Sequence, residues 1–260
     1  MFVFGIGDSG TFAVRFSERQ EISHGDAGPR GRGHGHADTG SFCGVDAVSR
    51  KLNFDRLAHP YRRLEYATFG HALERCRFHF LPALTSSQRA LVLGDGDGRF
   101  LTRLLQANPY LYADVVDISP AMLRAVKTRL SVEDLHRVTL HQADAREFMP
   151  DGTDYDLVVT HFFFDCFFEQ ELALLIERIA PHLKPGALWV VSEFAEAHGM
   201  IAKSAGRLAV SGLYHAFGLL TGLQVRSLPD HGAILNACGL RLAAERQWLR
   251  GLLVSQLWQR

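Results

Sequence analysis

Asp95, Asp117, Asp144 and His161 share a setting. Each stands at or just past the end of a short apolar run, in "ALVLGDGDG", "ADVVD", "RVTLHQAD" and "DLVVTH". The first run also carries glycine at alternate positions, Gly94, Gly96 and Gly98. Glycine lets the chain turn tightly and lets a ligand lie against the backbone without meeting a Cβ. A helix that follows such a turn offers free N–H groups at its start. A nucleoside-like ligand on 94–98 satisfies both features. Asp117 lies 19 residues past Gly98, where a carboxylate at a neighbouring strand end can accept from both hydroxyls of a ribose. Its competing role as a helix cap falls more naturally to Ser119, with Pro120 at the first helical position. Asp144 suits an exocyclic amino group, with the Ala145 N–H beside it; the alternative is a loop or cap acid.

A second constellation is "THFFFDCFF" at 160–168, with five phenylalanines around His161 and Asp165. It reads either as an aromatic wall around a cation and an apolar acceptor or as core between a strand and a helix. The core reading applies most to Phe163 and Phe167, and less to Phe162 and Phe164. Candidate proton acceptors are His161, Asp165, His215 and His231, with His161 equally suited to a structural, hydrogen-bonded role.

The elements that must position these residues follow from the patterning. Candidate strands are 90–94, 113–117, 137–141, 156–161 and 187–192, short and apolar on both faces. Candidate helices are 98–107, 120–130 and 169–182. Alternating βα units predict an α/β fold, a Rossmann-like doubly wound sheet with right-handed crossovers. "KPGA" at 184–187 reads as a turn into the fifth strand. A late helix at 231–238 precedes two runs, 240–247 and 251–258, that predict an antiparallel final hairpin and a seven-stranded, mostly parallel sheet. Apolar residues at three- and four-residue steps from Leu57 to Phe80 predict N-terminal helices over 51–85, with Pro60 at a start and Pro82 at an end. Residues 200–230 are expected to form a helical lid. Tyr214 and Phe217 would line it, and Tyr61 and Tyr66 would complete it.

Residues 1–50 differ. "SHGDAGPRGRGHGHADTGSF" is rich in Gly, His and charge, without periodicity, and is expected to be a disordered tail. His34 and His36 there could hold a metal only weakly. A second expectation is that translation begins near Val45 or Val48, where patterned sequence starts. The remaining 51–260 reads as one domain. Lys+Arg and Asp+Glu both number 28 in 260 residues, which gives no basic surface for nucleic acid. No apolar run is long enough to span a bilayer. The four cysteines are scattered and form no CxxC pair, so no zinc or disulfide framework is expected and a reduced, cytoplasmic setting is.

Taken in order, "VLGDGDGRF", "VVDISPAML", "QADAREF", "YDLVVTHFFFDCF" and "LKPGALWVVSEF" resemble the class I S-adenosylmethionine-dependent methyltransferases. Among these the sequence is most similar to the small-molecule group that includes the ubiquinone/menaquinone methyltransferases. The resemblance covers about 55–260. It implies S-adenosylmethionine as cofactor and in-line methyl transfer to a small, apolar or aromatic acceptor. It implies that Gly94, Asp95, Gly96 and Gly98 line the methionine part and that Asp117 holds the ribose. Ile118 and Met122 would flank the adenine, Asp144 and Ala145 would bind its edge, and His161 and Phe162 would stand beside the sulfonium. His161 and Asp165 are then the catalytic candidates. Tyr61, Tyr66, Phe164, Tyr214, Phe217 and His231 are the candidates for acceptor contacts. One departure is Val92, where the family often has an acid; Asp95 is the residue that could reach the methionine ammonium instead. An NAD-linked oxidoreductase is the competing enzyme reading. It is disfavoured by Arg99 at the third position of the G-x-G-x-x-G template and by the lack of a Tyr-x-x-x-Lys pair. A non-catalytic, cofactor-binding partner module is the third reading, motivated by Val92.

Overall fold

The computed structural model describes residues 71–152, 154–195 and 229–260. The expected tail, Tyr61, Tyr66, His215, Tyr214, Phe217 and the lid lie outside the described residues. The elements in chain order are α1 (Ala72–Phe78), β1 (Arg89–Leu93), α2 (Arg99–Ala107), β2 (Tyr112–Asp117), α3 (Pro120–Arg129), α4 (Val132–Leu135), β3 (Val138–Gln142), β4 (Tyr155–His161), α5 (Glu169–Ile179), β5 (Leu183–Phe194), α6 (His231–Ala237), β6 (Arg241–Trp248) and β7 (Leu253–Gln259). The seven strands form one sheet in the order β3-β2-β1-β4-β5-β7-β6. Strands β1 to β5 pair in parallel, and β7 runs antiparallel between β5 and β6.

Strand β1 explains the layering. Ala90 and Val92 face one side and pack with Phe100, Leu101, Leu104 and Val126 of α2 and α3. Leu91 and Leu93 face the other and pack with Leu172, Leu175, Ile176 and Ile179 of α5 and Leu235 of α6. Both faces are therefore covered, which is why the parallel strands are apolar throughout. Helix α1 closes a third, smaller cluster, in which Leu73 and Cys76 meet Phe194, Leu252 and Leu253. All three tryptophans belong to the β5-β7-β6 half. Trp189 and Trp258 are buried there and Trp248 is half-buried.

Element ends mostly follow their local signals. Ser119 caps α3 by accepting from Met122 N at 3.3 Å, with Pro120 in the first turn. Three local expectations are corrected. The "KPGA" segment is not a turn before β5 but part of it. The strand starts at Leu183, and the β4–β5 register shifts between Tyr155 and Leu157. Gly186, at φ +80°, allows that irregularity and donates its N–H to Arg260 O. Pro82 does not end a helix. α1 stops at Phe78, and Pro82 lies within the first turn of a separate 3₁₀ segment, Leu81–Leu84, where its missing N–H is not needed. α5 also ends at Ile179, and 180–182 tighten into 3₁₀ around Pro181. Among the described residues no helix is long and apolar enough to cross a membrane.

Candidate active site

The strand order reverses between β1 and β4, and in such sheets ligands bind outside the carboxyl ends at that point. Backbone bonds set the ends of three strands abreast there. Gly94 N donates to Val116 O at 3.0 Å, and Ala143 N donates to Asp117 O at 3.2 Å. The glycine turn, Asp117 and the Asp144 loop thus form one rim.

The glycines differ in what they make room for. Gly94 has φ +64°, and a Cβ on it would lie 2.4 Å from the Phe163 ring. Its missing side chain accommodates Phe163 rather than a ligand, which corrects the reason expected from the sequence. Gly98, the left-handed cap of α2, similarly makes room for Val126. Gly96, at φ +63°, has nothing within 4 Å of its Cβ direction. It is the position where the rim stays open to a ligand.

The carboxylates are already partly engaged. Asp95 Oδ2 accepts from Leu101 N at 3.0 Å, in the first turn of α2. Burial pushes its carboxyl up to about 7, against the pull of that N–H and of Arg77. Asp117 Oδ1 accepts from Ser119 N at 2.8 Å, and the following Ile118 and Met122 are both half-buried. Asp144 binds Arg146 through the backbone N–H at 2.9 Å and through the guanidinium at 2.9–3.1 Å. The sequence suits this carboxylate to an amino group, with a loop or cap role as the alternative. The structure shows it shared with Arg146, which also reaches Glu171 at 3.3 Å. Ala145 is buried in the core beside it.

His161 ends β4 on the same face as α2. Its ring meets Phe100 edge-on at 4.3 Å, and neither ring nitrogen has a partner. Burial, with Arg77 nearby, lowers its pKa well below the ordinary histidine value. Its surroundings favour the neutral imidazole. The chain then passes through Phe162 in the left-handed region, φ 54°, an uncommon conformation for a bulky residue. Phe162 N donates to Ser192 O, its ring meets Phe194 at 5.2 Å, and Arg77 lies over it at 5.4 Å.

Sequence reasoning missed what holds this loop. Glu193, only 2% exposed, accepts at Oε1 from both Phe163 N and Phe164 N at 2.8 Å. Its other oxygen, Oε2, has no partner. Asp165, also buried, stands against it. Burial first, and then the Asp165 charge, raise the Glu193 pKa well above the usual carboxylate range. The two acids share a cavity of about 180 Å³ with Phe164, Phe194, Asp230 and His231. Phe164 belongs to the core, against Trp189 at 6.1 Å, and presents one side to the cavity. His231 lies 5.6 Å from the Phe164 ring, bonds Gln256 Oε1 at 2.9 Å, and has its pKa lowered by burial. The structure therefore separates the predicted residues into two groups. Gly96, Asp95, Asp117, Ile118, Met122 and Asp144 lie on the β1–β3 rim. Phe164, Asp165 and His231 lie at the β4–β5 cavity, with His161 and Phe162 between.

Residues 91–189, which span both groups except Glu193 and His231, match the family model described as a methyltransferase domain. The fold also matches an S-adenosylmethionine-dependent methyltransferase from Mesorhizobium loti, with TM-score 0.56 and 16% identity over 73% of this chain and all of that one. Residues 91–189 are thus similar to methyltransferase domains, set in a fold that S-adenosylmethionine-dependent methyltransferases share. An O-methyltransferase family protein from Burkholderia thailandensis is similar over 79% of this chain and 61% of its own, with TM-score 0.56 and 20% identity. The human N-acetylserotonin methyltransferase, solved with S-adenosylmethionine, has TM-score 0.51 and 18% identity over 78% and 59%. A curated relative is polyamine aminopropyltransferase 2 of Bacillus cereus, 31% identical over 83 residues, 29% of this chain and 23% of that protein. The chain thus spans less than a quarter of that relative and about three fifths of the Burkholderia and human chains. These likenesses do not single out the quinone methyltransferases.

The residues of the rim fit the cofactor of this fold. Gly96 leaves open space, and Asp95 and Asp117 bring acceptors suited to an ammonium and to ribose hydroxyls.

Proposed function

We propose that the chain transfers a methyl group from S-adenosylmethionine to a small acceptor held at the β4–β5 cavity. The observation that carries this reading is the adjacency of an open glycine rim and an acid-lined cavity across the switch point of a methyltransferase-type sheet. S-adenosylmethionine supplies an already activated methyl on a sulfonium. Gly96 and Asp95 would hold its methionine part, Asp117 the ribose, Ile118 and Met122 the adenine faces, and Ala145 with Asp144 the adenine edge. The protein's contribution is alignment and exclusion of water, worth roughly 7–11 kcal/mol at best.

Proton acceptance falls to Asp165 in this reading, rather than to His161. An imidazolium at His161 would be a bare charge packed on Phe100, and burial opposes it. His161 and Phe162 instead shape the passage between rim and cavity. Phe164 and His231 form the acceptor wall.

Isothermal titration with S-adenosylmethionine and S-adenosylhomocysteine tests the reading. Micromolar binding, lost in Asp117→Ala, is the expected outcome. Binding of NAD in place of both would favour the oxidoreductase. Cofactor binding with no methyl transfer to any acceptor would favour a partner module.

A further inference from the structure

The β4–β5 cavity carries chemistry that the methyl-transfer reading alone does not require. Its described lining includes three carboxylates, Asp165, Glu193 and Asp230, and neither lysine nor arginine. His231 does not offset them, because burial lowers its pKa and Gln256 takes its Nε2. An anionic acceptor would meet only repulsion here. A neutral hydroxyl could donate one hydrogen bond to Glu193 Oε2, which has no partner within the protein, but would bring no charge to offset the acids. A donor-rich cation removes both problems. Phe164 and Phe194 add aromatic surface of the kind that suits a cation.

We propose that this cavity is an amine subsite: the Asp165–Glu193 pair, with Phe164 and Phe194 around it, takes the protonated amino group of the acceptor. The inference rests on the methyltransferase reading and names its acceptor class. Glu193 Oε2 and Asp165 hold the ammonium. Before it can act as a nucleophile the ammonium must shed one proton. An N–H bond breaks, an O–H bond forms on the carboxylate pair, and nitrogen keeps the freed lone pair. Asp165, whose charge already raises the pKa of the neighbouring Glu193, is the acid placed to accept that proton.

The test uses the full chain saturated with S-adenosylhomocysteine and two probe pairs, 2-phenylethylamine with 2-phenylethanol and cyclohexylamine with cyclohexanol. Binding is read by calorimetry. The amines are expected to bind roughly thirtyfold or more tightly than the matched alcohols. Asp165→Asn should abolish that preference by weakening amine binding about tenfold or more relative to alcohol binding. Glu193→Gln should do the same if its melting temperature shows that the loop has kept its fold; Asp165→Asn decides the matter otherwise. Alcohols equal to amines, no binding by either amine, or a preference that survives in Asp165→Asn would overturn the proposal. Failure of S-adenosylhomocysteine itself to bind would instead sink the methyltransferase reading, so the two failures are distinguishable.

Discussion

Gly94 and Gly96 have nearly the same backbone angle and opposite surroundings, and substitution should separate them. Alanine at either position must adopt a left-handed conformation, which costs about 1–2 kcal/mol. At Gly94 the new methyl also strikes the Phe163 ring, so Gly94→Ala should be destabilised by about 3 kcal/mol or more in denaturant unfolding. Gly96→Ala should lose only the smaller amount yet weaken S-adenosylhomocysteine binding by an order of magnitude or more. Equal destabilisation with unchanged binding would place the cofactor elsewhere. Asp95 gives a second contrast. Its folded pKa, about 7, lies above the unfolded value, so the native state holds a proton that the unfolded chain has released. The stability tied to that proton is complete below about pH 4 and is lost as pH rises through 7. An asparagine keeps the acceptor for Leu101 N without that loss. Thermal melts of Asp95→Asn should therefore match wild type in acid and exceed it increasingly up to about pH 8. The variant should bind S-adenosylmethionine less tightly at pH 8, where the wild-type carboxylate is charged.

At the scale of elements, the start of α3 ties stability to the cofactor rim. Ser119→Ala removes the cap on Met122 N and should lower stability by about 1 kcal/mol in urea titration. That cap was plain from "DISPAML" because capping is a local code, and so were most strand and helix cores. What the sequence concealed was non-local. Glu193 in "VVSEF" reads as one more strand residue, yet its partners are backbone amides 30 and 29 positions earlier. No spacing rule links them. The beginning of β5 was hidden for a similar reason: Pro185 and Gly186 signal a turn, and only pairing of Leu183 with Tyr155 draws that stretch into the sheet. The Asp144–Arg146 pair lay two residues apart in plain view, but side-chain direction in a loop is not encoded by spacing. The expected hairpin was legible because its two strands are joined by a short connection, in which Leu249 and Arg250 take positive φ.

For the whole molecule, cofactor binding should register as global stability. A ligand held only by the native state at a hundredfold excess over its dissociation constant adds about 2.7 kcal/mol. For a domain of this size that corresponds to a rise of roughly 5–10 °C in Tm. Saturating S-adenosylhomocysteine should produce this shift in wild type and not in Asp117→Ala, by scanning calorimetry.

The placement of the tryptophans divides the molecule optically. Trp189, Trp248 and Trp258 all lie on the β5-β7-β6 half, and Trp258 approaches Gly232, one residue beyond the cavity-lining His231. The glycine rim and Asp117 have no indole of their own. Intrinsic emission is thus a built-in reporter of one half: filling the cavity should change its colour or intensity, while filling the rim alone should leave it nearly dark to the observer. Two binding events that calorimetry would sum can be told apart by light, without labelling the chain.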